Sequence, residues 1–177
     1  MRIISGCRKG HKLKAPEGLD TRPTTDRVKE SIFNLIQFCR PEVVLDLFAG
    51  SGALGIEALS RGAERAVLID SDRKAIALIQ ENLKNARLDT LAAVRMTDAL
   101  SYLDTCGQDF DLIFLDPPYN KGWISPVLEK IAKRGILRPE GVIVCETEAG
   151  GEPIPETEYK LRKSVKYGKT IITILQG

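Results

Sequence analysis

Histidine is almost missing from this chain: His11 is the single one in 177 residues. That scarcity argues against a metal site, and no metal is expected. His11 itself sits in a basic, polar stretch and is given no catalytic role. Cys7, Cys39, Cys106 and Cys145 lie far apart with no C-x-x-C pair, so they read as four reduced thiols. No stretch approaches the roughly 20 apolar residues of a membrane span. Met1-Arg2-Ile3-Ile4-Ser5-Gly6 lacks an apolar signal core, so the expected location is the cytoplasm. What remains, 43% hydrophobic and 28% charged residues, is the composition of a soluble globular protein about one domain long.

The net charge of +2 hides an uneven distribution. Residues 1–40 carry nine Lys/Arg against four acids, which gives +5 there and −3 for the remainder. The first fourteen residues hold Arg2, Arg8, Lys9, Lys12 and Lys14 and no acid. A patch of this kind favours a polyanion such as nucleic acid, with a solvated basic tail as the alternative. Residues 1–24 read as a basic hairpin or ordered arm, with β-like pieces at 2–5 and 12–15. Residues 25–177 read as the main body, the two forming a single compact unit.

From there the pattern is regular. Thr24-Thr25-Asp26 offers N-caps for a helix with Val28, Ile32, Leu35 and Ile36 on its apolar face, ended by Arg40-Pro41. Strands are expected at 43–48, 65–70, 91–96, 112–116 and 141–146. Helices are expected at 53–60, 73–86, 99–103 and 123–134. Alternation of strand and helix implies right-handed crossovers and a parallel sheet with helices on both faces. Residues 159–165 and 170–175 alternate apolar and polar residues about the turn 166–169. They form a hairpin that adds antiparallel strands to one edge, for seven strands in all.

Asp46-Leu47-Phe48-Ala49-Gly50-Ser51-Gly52-Ala53-Leu54-Gly55 places G-x-G-x-x-G between a strand and a helix. Gly50 and Gly52 allow a tight turn and close backbone approach to a ligand, and Gly55 allows helix and strand to pack closely. No Lys-Ser/Thr follows, so this is not a P-loop. The loop suits a dinucleotide or an adenosyl amino acid. Asp46 at the strand end would repel a pyrophosphate but could anchor the ammonium of a methionine moiety. Asp70, ending the second strand, can accept both ribose hydroxyls. Asp98, ending the third, can accept from an adenine amino group. Each acid alone could equally be a cap or turn residue; the ordered set of three points to S-adenosylmethionine.

Asp116-Pro117-Pro118-Tyr119 closes the fourth strand. Each proline fixes its own φ, restricts the residue before it and removes a donor, so the Asp116 and Pro117 carbonyls are free to accept. Such a corner suits an exocyclic amino group held by acceptors, with its ring stacked on Tyr119. An ordinary Pro-rich turn is the plainer reading of the same four residues.

Taken together these segments resemble the RsmD family of Rossmann-like class I methyltransferases. That family methylates the exocyclic N2 of a guanine in small-subunit (16S) ribosomal RNA. The glycine loop and D-P-P-Y recur across amino-group methyltransferases. The resemblance also takes in Glu57-Ala58-Leu59-Ser60-Arg61-Gly62-Ala63, and what narrows it is the arm Arg2-Ile3-Ile4-Ser5-Gly6 with Lys9-Gly10 and the segment Thr21-Arg22-Pro23-Thr24 with 26–30. Asp70 departs from the usual Glu, and Tyr119 stands where Phe is also common.

The resemblance implies that Asp46, Ala49, Gly50 and Gly52, with Phe48 and Ser51 of the same loop, hold the methionine part. Asp70 and Ser71 would contact the ribose, and Asp98 and Ala99 the adenine. Asp116, Pro117, Pro118 and Tyr119 would form the target-amine pocket. Arg2, Arg8, Lys9, Lys12, Lys14 and Arg22 would meet RNA, with Arg22 and Thr24 near the mouth of the site. The implied partner is ribosomal RNA within a small-subunit assembly particle, met by a monomer. DNA adenine-N6 or cytosine-N4 methyltransferases share D-P-P-Y but usually carry an added recognition region. An NAD-dependent oxidoreductase shares the loop but leaves D-P-P-Y unexplained, and no Tyr-x-x-x-Lys pair follows the fourth strand.

Overall fold

Val43–Asp46 (β1) is buried at all four residues, and a strand with no exposed face belongs inside a sheet covered on both sides. The computed structural model describes residues 1–16, 26–119, 121–151 and 153–177. In it β1 lies inside a seven-stranded sheet of order β3-β2-β1-β4-β5-β7-β6, between β2 and β4. The other strands are Arg65–Asp70 (β2), Ala92–Met96 (β3), Phe110–Leu115 (β4), Leu137–Glu148 (β5), Lys160–Tyr167 (β6) and Thr170–Gln176 (β7). Strands β1 to β5 pair in parallel, and β7 and β6 add antiparallel strands beyond β5. This is the expected doubly wound α/β sheet with a C-terminal hairpin.

Side-chain parity along the strands assigns the helices to faces. Val44, Leu68, Phe114 and Val144 share one core cluster with residues of Asp26–Leu35 (α1), Ala53–Ser60 (α2) and Arg73–Ala86 (α3). Leu45, Ile69, Leu115 and Cys145 share the other with Ala99–Thr105 (α4) and Ile124–Arg134 (α5). Asp46, Asp70 and Glu146 have the parity of the first set, so these three acids belong to the face that α1, α2 and α3 cover, and Asp116 follows directly after β4.

Most element ends differ from the expectation by one to a few residues, and two of the shifts have a visible cause. Strand β5 starts at Leu137 rather than Gly141, because Phe110 pairs with Leu137 before the register shifts. Glu140 takes a left-handed φ of 62° in that irregular stretch. A 3-10 turn at Asp89–Leu91 occupies the expected start of β3. The proposed caps Thr24 and Thr25, residue Arg22, and the 24/25 boundary lie outside the described residues.

The N-terminal arm is a hairpin, paired antiparallel at Arg2 and Lys12, and it is built into the core. Ile3 and Leu13 are buried in the first cluster. What fixes it there is Glu57 on α2, a carboxylate with no exposure to solvent. Its oxygens accept from Ile4 N at 2.7 Å, Ser5 N at 3.0 Å and Arg61 Nε at 2.7 Å, and lie 3.4 Å from Lys29 Nζ. Lys29 is equally buried and also donates to the Arg2 carbonyl. Burial holds the Lys29 ammonium below its usual range, with Glu57 opposing that shift. Gly6 makes the close approach possible: with φ +84°, a Cβ there would stand 1.7 Å from the Ser60 carbonyl oxygen.

Removing one member of a buried ion pair strands the other. Glu57→Ala should therefore cost about 3–5 kcal/mol in urea unfolding. Loss of under ~0.5 kcal/mol, the size expected of a surface change, would show that the pair does not hold the arm.

Candidate active site

The chain runs outward from β1 to β2 and β3 on one side and to β4 and β5 on the other, so a crevice opens at the carboxyl ends of β1 and β4. Open α/β sheets bind ligands at such a reversal. The glycine loop and Asp116 meet here because Asp46 pairs with Phe114, two residues before Asp116.

Gly50 and Gly52 both have positive φ (55° and 79°), the backbone a tight turn requires. Gly55 lies so close to β2 that a Cβ would meet Leu68 Cδ2 at 3.0 Å, the close packing its position implied. Beside Gly50 the space within 4 Å is open. Under the loop, Asp46 is 1% exposed. Its Oδ2 accepts from Gly55 N at 3.2 Å, while its Oδ1 is buried with no hydrogen-bond partner among the described residues. Burial pushes this carboxyl up to about 7, with help from nearby Asp70 and against the pull of the Gly55 and Phe48 amides.

Asp70 has a structural task that its position alone did not reveal. One oxygen accepts from Gly50 N at 2.8 Å and the other from Asp72 N at 2.9 Å. It thereby holds the loop in shape while keeping lone pairs directed outward. Asp98 caps α4, its Oδ1 accepting from Ser101 N at 2.9 Å, and hydrogen bonds from Ser101 hold it below the usual carboxylate range. Ser71 is exposed, and Ala99 is buried in the second cluster. Ser51 faces the arm, with its Oγ 3.9 Å from Met1 Sδ and its carbonyl accepting from Asn82 Nδ2. The half-buried Phe48 packs at 5.8 Å and 60° against Trp123, the chain's single tryptophan.

At the other wall, Pro117 is buried, Pro118 exposed, and Asp116 and Tyr119 half-buried. The Tyr119 hydroxyl lies 3.1 Å from Glu146 Oε1 on β5 and 3.2 Å from Thr170 Oγ1 on β7. Burial raises the phenol to about 12, so it stays a neutral donor. The ring is thus aimed by its hydroxyl. Glu146, Thr170 and Trp123 were missed as site residues; a carboxylate ending the fifth strand, like those ending the first four regions, was the available signal.

The basic arm is partly spent on the fold. Arg2 pairs with Asp26 and Lys14 with Glu81, and Arg8 donates to the Arg87 carbonyl. Lys9 and Lys12 are exposed. The four cysteines are free thiols, and burial raises Cys145 to about 12 and Cys39 to about 11. Among the described residues no group of three or more His, Cys, Asp or Glu is arranged to hold a metal, and no helix is long and apolar enough to cross a membrane.

Residues 1–176 match the model of one protein family, described as "Conserved hypothetical protein 95". Ribosomal RNA small subunit methyltransferase D of Escherichia coli (strain K12) is 35% identical over 99% of this chain and 89% of its own. The chain belongs to the RsmD family. YlbH of Bacillus subtilis (strain 168), provisionally named an rRNA methyltransferase, is 44% identical over 98% of this chain and 97% of its own. The solved structure of yhhF from Escherichia coli, provisionally described as a methyltransferase, superposes with a TM-score of 0.88 at 36% identity. It covers 99% of this chain and 97% of that one. RsmD membership thus gives the fold its class, a Rossmann-like methyltransferase, and the site fits that class's cofactor. Asp46 Oδ1 is buried without a hydrogen-bond partner among the described residues, and the space at Gly50 is open, two features that suit a cofactor carrying an ammonium.

The Asp46 carboxyl titrates near 7 in the fold and near 3.8 ordinarily. The native state therefore keeps a proton that the unfolded chain releases, and stability of the ligand-free protein falls as pH rises from about 4 through about 7. Asp46→Asn should remove that slope and be more stable at pH 8, by up to about 4 kcal/mol, while losing affinity for S-adenosylhomocysteine. Unfolding curves for the two proteins that stay parallel from pH 4 to 8 would contradict this.

Proposed function

We propose that this chain transfers a methyl group from S-adenosylmethionine to the exocyclic N2 of a guanine in small-subunit ribosomal RNA. The carrying observation is the adjacency of two unlike sites across the β1–β4 pairing. One is a buried, unpartnered acceptor beneath a glycine loop, and the other an acid-proline corner. The reading further takes the substrate as an assembly particle and the enzyme as a monomer working in the cytoplasm without a metal.

When bound, the cofactor supplies an electrophilic methyl on a sulfonium centre. Asp46 would hold its ammonium through Oδ1, and the Gly50 and Gly52 backbone would leave room for its methionine part. Asp70 and Ser71 would take the ribose, and Asp98 and Ala99 the adenine. A pyrophosphate in this loop would lie against the Asp46 carboxylate, which disfavours the dinucleotide alternative.

Guanine N2 is a weak nucleophile because its lone pair is delocalised into the ring. Asp116 and the Pro117 carbonyl would accept its two N–H bonds, turning the lone pair toward the donor and stabilising the positive charge that grows on nitrogen. Holding the amine there makes the displacement effectively unimolecular. The nitrogen then loses one proton, to Asp116 or to water. Stacking on Tyr119 contributes about 1–3 kcal/mol, and an amine in this crevice requires an unpaired or flipped base.

A second basic surface supports an RNA substrate. Residues 159–177 hold Lys160, Arg162, Lys163, Lys166 and Lys169 and no acid. Strand β6, at the sheet edge, exposes four of them, and the hairpin leads through Thr170 directly to the Tyr119 hydroxyl. Arg162 is engaged, stacked 4.1 Å from the Phe38 ring. Edge lysines also guard a strand against mispairing, so their charge has two uses.

Asp116→Ala should lower transfer at least ~10²–10³-fold while leaving S-adenosylhomocysteine affinity nearly unchanged. Joint loss of both would remove Asp116 from the amine pocket. In ribosomal RNA from a deletion strain, mass spectrometry should show one N2-methylguanosine missing, and an unchanged content would defeat the reading. Replacing Lys9 and Lys12, or Lys163 and Lys166, by Glu should raise KM and reduce the salt slope by about one per lost phosphate contact. A salt slope that neither pair alters would take both surfaces out of the RNA interface.

A further inference from the structure

Near the acid-proline corner stands a second carboxylate, Glu146, which takes no part in the transfer step itself. Glu146 is 6% exposed, and it lines a small pocket together with Pro117, Pro118 and Tyr119. Leu115, the last residue of β4, pairs with Cys145 in the parallel ladder, so Asp116 leaves β4 where Glu146 continues β5. Both acids lie close enough to the Tyr119 phenol to act on its charge. The Tyr119 hydroxyl donates to Glu146 Oε1 at 3.1 Å and lies 3.2 Å from Thr170 Oγ1, which holds the phenol, and through it the carboxylate, in one orientation. This is a built, oriented acceptor one strand away from the proposed amine acceptor.

The chemistry of base edges gives such a pair a meaning. All three amino bases offer an exocyclic NH₂, which Asp116 can accept, so that contact cannot tell them apart. The neighbouring ring nitrogen can. Guanine presents N1–H, a donor, beside its N2 amine. Adenine presents N1, a bare acceptor, beside N6, and cytosine presents N3, also an acceptor, beside N4. An ionised carboxylate only accepts, so it pairs with the first and repels the other two.

We infer that Glu146 is the residue that selects guanine, accepting N1–H of the base whose N2 lies at Asp116. The inference rests on the amino-methyltransferase reading above and deepens it. Tyr119 then has two tasks: its ring stacks on the base, and its hydroxyl aims Glu146. A hydrogen-bonding site of this sort rejects analogues that lack the donor far more strongly than a purely apolar pocket does.

The test uses the whole enzyme and a small-subunit particle lacking the modification, with the methylated guanine first mapped by mass spectrometry. At that position 2-aminopurine riboside is installed by splinted ligation. It keeps the N2 amine but has no N1–H. Wild type should methylate guanine at least ~10²-fold better than 2-aminopurine, as measured by kcat/KM. Glu146→Gln, whose amide can either accept or donate, should lose activity on guanine and gain it on 2-aminopurine. The ratio should narrow by at least tenfold, with S-adenosylhomocysteine affinity and melting temperature near those of wild type. Tyr119→Phe, which keeps the carboxylate, should lower the rate yet retain a preference for guanine.

If Glu146→Gln leaves the ratio unchanged, Glu146 is a packing residue and the inference fails. Should that variant not fold, wild type alone decides, since comparable rates on the two bases overturn the inference. A wild type that forms no N2-methylguanosine on any particle overturns the underlying functional reading instead, a result distinct from the other two.

Discussion

Everything in this molecule hangs on a four-residue strand that is hydrogen-bonded on both sides. Strand β1 pairs in parallel with β2 through Val43↔Arg65 to Asp46↔Leu68, and with β4 through Val44↔Leu112 to Asp46↔Phe114. The chain winds away from it in opposite directions, so no helix crosses over the carboxyl ends of β1 and β4 and a crevice stays open there. Two sequence segments about 70 residues apart, the glycine loop and the acid-proline corner, thereby become neighbours. A register slip of one residue would turn Asp46 to the opposite face of the sheet and dissolve the site.

Asp46 costs the ligand-free fold stability at neutral pH. Asp46 is held under the loop with one oxygen satisfied and one not, and burial lifts its carboxyl to about 7. A fold optimised for stability alone would not carry that group. Glu57 shows the contrasting case: its carboxylate is equally buried but surrounded by two amides, an ammonium and a guanidinium. Both acids lie on the same face of the sheet, one spent on architecture and the other left available. The difference between them is partners, not burial.

Much of this was legible in the sequence. The seven strands, five helices, the C-terminal hairpin and the glycine turn all follow from local periodicity and from glycines at defined offsets. The details that escaped are long-range. Glu57 meets Ile4 and Ser5, Asn82 meets Lys14, and Tyr119 meets Glu146 and Thr170, and no periodic pattern encodes any of these pairs. Strand β5 begins at Leu137, before the expected 141, because β4 supplies a pairing partner at Phe110, a long-range contact that local pattern does not encode. Two of the acids read as cofactor contacts also have structural work. Asp70 shapes the loop through Gly50 and Asp72, and Asp98 caps α4, so an acid at a strand end is architectural before it is a ligand contact.

If the β1–β4 crevice seats the methyl donor with its ammonium on Asp46, a crystal structure of the protein with S-adenosylhomocysteine will show it. The amino-acid end of the ligand should lie beneath the glycine loop, its nitrogen within hydrogen-bonding distance of Asp46 Oδ1, and its sulfur facing Asp116. A ligand bound elsewhere, or bound in the crevice with Asp46 Oδ1 still unpartnered, would contradict it.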